Sequence, residues 1–326
     1  MSSRHLVIGA GGPRAFLTGL GTVIAMRLFG LKDWTSIGGI SGGSLPAILM
    51  ADHTLSPWEL VERIIAIEIT DLLKPSDSGV DPLAQFAPGE SGQAARKEKF
   101  VSRLLKRGAW HTDKLGEMIG ACVDTWPELF WTMAMTENSH ILFTATGVYE
   151  YGFDGSFTVL SEEPAPVALA IRATIAIPGW LEGVVYKGRY LFDGSLSPFG
   201  GCPVAWVRRH FNGESSLVIR CLSSGKSFRT DSLLCRIGRK LLCNGVKAVP
   251  DMLNSPADIN IDPKVPELAT FRFKLSREEK ELGILAGFNT AVAEMHRCAG
   301  LFQQGLPNLV PCADFQQFLA LVEAQS

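Results

Sequence analysis

Nowhere along the 326 residues does an unbroken apolar run approach the ~18 residues that a membrane-spanning helix needs, although 46% of the chain is hydrophobic. The mean hydropathy of +0.16 is high, so the surplus is assigned to a core or to an exposed apolar surface. Positive charge is not in excess either: 31 Lys and Arg face 33 Asp and Glu, a formal net charge of -2. That balance argues against a general nucleic-acid binder, which needs a basic face to displace counterions. The opening MSSRHLVIGAGG enters a strand almost at once. It carries no apolar segment of ~7–15 residues and no cleavage site, so no Sec signal is read. The seven cysteines (122, 202, 221, 235, 243, 298 and 312) are odd in number and contain no CxxC. This suggests neither a disulfide framework nor a zinc site. The compartment read from these features is reducing cytoplasm or the periphery of a membrane, with signal-independent export left open.

The length allows one large domain or two small ones. His5–Gly9 reads as a short buried strand and Pro13–Gly30 as a helix, with proline at its start and glycine at its end. Trp34–Gly39 is a second strand, and Ser44–Asp52 a second helix. Strand, helix, strand, helix within fifty residues predicts an α/β fold with a mainly parallel central sheet between helical layers. Pro57–Leu73 reads as a helix, Lys74–Gly92 as a polar loop, and a basic helix and WPELFWTMAM (126–135) follow. Residues 54–135 are therefore taken as a helical insert in a core spanning 4–222, with 223–326 as a C-terminal extension of one domain. Further strands are expected at 140–146, 156–160, 216–221 and 257–261, with a hairpin over Val184–Phe192. Ser276 and Glu279 predict a capping box at the start of a last helix.

Three motifs carry chemistry. Gly39-Ile40-Ser41-Gly42-Gly43 fits GxSxG, in which a serine on a sharp strand-to-helix turn needs small neighbours. Such a turn exposes Oγ above the sheet and aims helix N-terminal amides at an oxyanion. Gly9-Ala10-Gly11-Gly12-Pro13-Arg14 gathers several N–H groups in one small volume, which suits an oxyanion or a phosphate. It is not a dinucleotide fingerprint, because Arg14 stands at the sixth position of GxGxxG and no acidic residue closes the second strand. Ser224-Gly225-Lys226-Ser227 is not a P-loop, because Arg220 stands where its first glycine belongs. Lastly, Tyr190-Leu191-Phe192-Asp193-Gly194-Ser195 runs a strand into an Asp-Gly turn, which delivers a carboxylate to the sheet edge. Asp154-Gly155 is a second such pair, so Asp-Gly by itself is ordinary.

As a set, these motifs resemble the patatin-like phospholipase family, lipid acyl hydrolases that use a serine–aspartate dyad. The resemblance rests on Gly11, Gly12 and Arg14 in the glycine-rich loop, on the elbow around Ser41, and on Ala173–Pro203 around Asp193. It covers most of 5–221, least well in the insert. It implies Ser41 as nucleophile and Asp193 as its base. Gly11, Gly12 and Gly42 would form the oxyanion hole, with Arg14 supporting the loop. Neither metal nor other cofactor is implied. The chain departs from the family with Ala10 and Ala15 in the loop and with Asp-Gly-Ser in place of Asp-Gly-Gly or Asp-Gly-Ala.

His210 and His296 follow Asp193 in the order of an ordinary Ser–Asp–His triad, but each lies beside arginine on a face read as solvated. The expected function is hydrolysis of fatty-acyl esters of the phospholipase A or lysophospholipase type through an acyl-serine. The alternatives are a catalytically weak lipid-binding module and an acyltransferase using the same intermediate. The expected partner is a phospholipid or another acyl lipid. Two surfaces stay open in the sequence. The stretch 232–247, with Leu233, Leu234, Ile237, Leu241 and Leu242 between Arg236, Arg239 and Lys240, reads as an anionic-membrane contact or as an ordinary surface helix. WPELFWTMAM reads as an acyl groove or as core.

Overall fold

The computed structural model describes residues 3–75, 108, 110–123, 125–197, 200–211, 216–223, 256–270, 272–302 and 305–325. The stretch 232–247 and the basic helix expected before Trp110 lie outside these residues.

The buried run of β1 (Arg4–Ile8) pairs in parallel with β2 (Ser36–Gly39) on one side and with β11 (Leu217–Cys221) on the other. β12 (Ile259–Ile261) extends this parallel half beyond β11, and β5 (Phe130–Met135) extends it beyond β2. From β5 the sheet continues as an antiparallel meander of β6 (Ser139–Thr144), β7 (Gly147–Gly152) and β8 (Phe157–Ser161). The end of β10 (Arg189–Asp193) also pairs with β5. Side chains alternate between the faces of a strand, so Leu6 and Ile8 enter one core while Val7 enters another. The first core lies under α1 (Gly12–Leu28), α2 (Ser44–Ala51) and the long C-terminal helix Arg277–Arg297. The second lies under Val204–His210, through Val204, Trp206 and Val207. Helices on both faces of a mixed sheet make the expected α/β/α sandwich.

α1 is buried continuously from Pro13 to Met26 rather than along one stripe. The cause is the Arg277–Arg297 helix, whose backbone touches that of α1. A Cβ on Gly21 would lie 1.9 Å from the Ile284 carbonyl oxygen, and one on Gly287 would lie 2.0 Å from that of Thr18. The helix starts with the capping box read from the sequence: Glu279 N–H donates to Ser276 Oγ and Ser276 N–H to Glu279 Oε2.

Several expectations change. WPELFWTMAM does not close a helical insert: Phe130–Met135 is β5, in the middle of the sheet with all six residues buried. Buried on both faces, it shows no polar alternation to mark it as a strand. Trp131 packs 5.1 Å from Trp206, and neither it nor Phe130 lines the cavity beside Ser41. The expected helix from Pro57 stops at Ala66 as α3 and is followed by a single 3-10 turn at Ile69–Leu72. Strand β7 and the helices Val167–Thr174 and Val204–His210 are additions to the sequence reading. The capped helix is not the last, because Phe315–Gln325 is also helical. The hairpin of β9 (Val184–Tyr186) and β10 turns at Lys187 and Gly188, both at positive φ.

Candidate active site

The first two parallel strands deliver their loops to the same edge of the sheet, where ligands of open α/β sheets are bound. β2 ends at Gly39, and Ser41 follows with φ 53. A non-glycine residue in this left-handed region costs about 1–3 kcal/mol and must be held there. Thr174 holds it: the Ser41 N–H donates to Thr174 Oγ1 at 3.1 Å, and that hydroxyl donates to the Met133 carbonyl at 2.5 Å. The Ser44 hydroxyl donates to the Ser41 carbonyl at 2.6 Å. The elbow is fixed from two sides, at its N–H and its carbonyl, and all these groups are buried.

Ser41 Oγ donates to Asp193 Oδ2 at 2.6 Å. Both side chains are nearly out of solvent, at 3% and 1% exposure. Burial pushes the Asp193 carboxyl above its ordinary 3.8, against the opposing pull of hydrogen bonds from Ser41 and Ser195. The second oxygen, Oδ1, accepts from the Ser195 N–H at 2.8 Å. The Ser195 side chain also hydrogen-bonds this carboxylate, a contact that glycine or alanine at this position does not make.

The glycine-rich loop lies against the elbow. A Cβ on Gly42 would stand 2.2 Å from the Gly12 carbonyl oxygen, so only glycine allows the approach. Gly12 opens α1 at φ 58, and Gly12, Gly42 and Ser41 line one cavity. The first turn of a helix leaves its N–H groups without intrahelical acceptors, which supplies donors at this place. Ala10 and Ala15 are not in the left-handed region, so alanine costs no backbone strain at either position. Arg14 is buried and sends Nη1 to the Leu268 carbonyl at 3.3 Å. It ties α1 to the C-terminal extension, whose Thr270 carbonyl also closes on Gly12.

The six histidines sit elsewhere in the hydrogen-bond pattern. His5 Nδ1 meets Ser36, His111 meets Glu182, and His296 meets the Leu309 carbonyl. His210 stacks on Trp206 at 4.4 Å, His140 stacks on Tyr151, and His53 lies in the electrostatic field of Arg27 and Asp52. His111, Asp113 and Glu182 bring possible metal-ligand atoms within 4.8 Å of one another. Arg172 already occupies that group, 2.7 Å from Asp113 and 3.9 Å from Glu182. A guanidinium there makes it an ion-pair staple.

The sequence reading missed Thr174 and the cavity beside Ser41. Its walls include Ile67, Leu72, Leu115, Ile177 and Phe273, from four separate parts of the chain. Thr174 stands within the ATIAIPG stretch as a lone hydroxyl in an apolar run, and that is its only signal. Among the described residues no helix is long and apolar enough to cross a membrane.

A search among curated proteins finds no match. Two solved structures are similar at 12% identity. One is VipD from Legionella pneumophila, with TM-score 0.47, over 91% of this chain and 67% of that one. The other is human GIVD cytosolic phospholipase A2 in complex with methyl gamma-linolenyl fluorophosphonate, with TM-score 0.42, over 100% of this chain and 60% of that one. The family model for patatin-like phospholipase matches residues 6–206, which run from β1 through the elbow and Asp193. On that match the chain belongs to the patatin-like phospholipase family.

Proposed function

We propose that the chain is a lipid acyl hydrolase of the phospholipase A or lysophospholipase type, working through a Ser41–Asp193 dyad. The observation that carries this reading is the 2.6 Å hydrogen bond between two buried side chains, with Oγ as donor and the carboxylate as acceptor. Asp193 takes the Ser41 proton as Oγ attacks the ester carbonyl. A carboxylate whose pKa is raised by burial is a better base for this step than an exposed one. The amides of Gly11, Gly12 and Gly42 receive the oxyanion, and Arg14 holds their loop to the extension. The protonated Asp193 returns its proton to the leaving alcohol, leaving an acyl-serine. Water then attacks the acyl carbon, gives a proton to Asp193 and releases the fatty acid. Contact with an anionic membrane through 232–247 belongs to the same reading.

The test is product analysis on a phospholipid panel, with fluorophosphonate labelling of Ser41. Ser41→Ala is expected to abolish both, and Asp193→Asn to slow turnover by about 10²–10⁴-fold. The double variant is expected to be no worse than Ser41→Ala alone, because the two residues act as a unit. The dyad is wrong if His210→Ala or His296→Ala abolishes acyl-serine formation while Asp193→Asn leaves it intact. Products formed on added acceptor alcohols would make the enzyme an acyltransferase.

A further inference from the structure

The cavity that opens at Ser41 is small, about 70 Å³. A second, about 300 Å³, adjoins it between α2, α3 and the helix Asp113–Cys122. Phe16, Leu45, Ile67 and Met118 line both, so these four side chains are the partition between them. The far walls are Ile48, Leu60, Ile64, Ile119 and Val123, and Arg63 is the only charged residue among the described residues lining the chamber.

Size decides what the pair can hold. An apolar cavity of about 150 Å³ takes up one benzene ring, so the chamber at Ser41 has room for on the order of three carbon atoms on that scale. A longer acyl chain attached at Ser41 must leave this chamber. An apolar way out is past Met118, whose unbranched thioether side chain adapts easily to a neighbour. On the same scale the second chamber has room for on the order of a dozen carbons. A phosphate or sugar headgroup entering it would be stripped of water with almost nothing to replace its hydrogen bonds.

We propose that the inner chamber receives the distal part of one long acyl chain, and that it selects long-chain over short-chain esters. The inference rests on the acyl-hydrolase reading of Ser41. One series of chambers takes one chain, so the headgroup and any second chain of the lipid stay on the outer side of Ser41. Ile119 and Val123 then determine chain length, because they bound the inner chamber and take no part in the outer one.

The experiment compares kcat/KM for butyryl and palmitoyl esters in wild type, Ile119→Trp, Val123→Phe and Met118→Ala, with palmitate binding measured by calorimetry. Filling the chamber with Trp or Phe is expected to lower the palmitoyl-to-butyryl ratio at least tenfold and to weaken palmitate binding by a similar factor. Met118→Ala, which widens the partition, is expected to leave the ratio at or above that of wild type. Thermal unfolding identifies any variant that fails to fold, and the other filling variant then decides. Equal loss on both esters, or an unchanged ratio in a folded filling variant, overturns the chamber. If wild type cleaves no ester and Ser41 resists the fluorophosphonate, the hydrolase reading has failed. Palmitate binding then judges the chamber alone: binding lost on filling upholds it, and binding absent from wild type or unaffected by filling refutes it.

Discussion

Thr174→Val exchanges a hydroxyl for a methyl of nearly the same shape, and the structure makes the consequences calculable. Two buried bonds are lost, from the Ser41 N–H at 3.1 Å and to the Met133 carbonyl at 2.5 Å. A buried N–H left without an acceptor costs about 1–3 kcal/mol, and loss of the bond to Met133 adds about 1 kcal/mol. The two bonds together contribute about 2–4 kcal/mol; relief of strain at Ser41, about 1–3 kcal/mol, offsets part of it, so the net destabilisation read from urea denaturation is smaller than that sum. The effect on reactivity has a different origin. Ser41 is held at φ 53, a conformation that costs about 1–3 kcal/mol. Without its tether the residue relaxes toward ordinary backbone angles and Oγ leaves Asp193. Release of that strain corresponds to about 10- to 100-fold slower fluorophosphonate labelling. Thr174→Ser keeps the hydroxyl and is expected to label at close to the wild-type rate. If a folded Thr174→Val labels as fast as wild type, the tether plays no part in activating Ser41.

Three further outcomes follow from the same geometry. On the proposed dyad Asp193 must be ionised, and burial raises its pKa above 3.8, so kcat/KM is expected to fall with decreasing pH along a limb whose midpoint lies above 3.8 and to lose that limb in Asp193→Asn. Gly42→Ala places a methyl 2.2 Å from the Gly12 carbonyl oxygen, forcing the two loops apart; labelling is expected to fall at least tenfold, a change of about 1.4 kcal/mol in barrier. Lys280 is buried and its Nζ donates to the Ile65 and Ile67 carbonyls and to Glu68. Lys280→Ala is expected to cost about 2–3 kcal/mol in urea denaturation and, because Ile67 belongs to the chamber partition, to change chain-length preference.

The parts of this fold legible in the sequence are those with a local chemical reason. Glycines mark the loop at Gly11 and the elbow at Ser41 because the backbone needs them there. Ser276 and Glu279 mark a helix start because two side chains satisfy two amides. β5 is illegible because strand alternation shows only where one face meets water, and Phe130–Met135 meets none. The continuous burial of α1 is equally hidden, since its partner helix lies far along the chain. The chamber walls come from segments that share no motif. Any large apolar residue suits such a wall, so Ile67, Ile119 and Met118 look like ordinary core. Thr174 acts through one hydroxyl, and a lone threonine in an apolar run has no pattern to detect.

The contact between Arg14 and Leu268 spans 254 positions, and it sets an order of events in the life of the chain. A ribosome adding roughly 5–20 residues per second needs about 10–50 s to travel from one to the other. During that interval the loop beside Ser41 is without the carbonyl that anchors Arg14, and α1 has no helix against its outer side. Ser41 and Asp193 are made well before the part that completes their surroundings. The pocket beside Ser41, one wall of which is Phe273, is therefore the last part of this end of the sheet to close, long after Ser41 itself has left the ribosome.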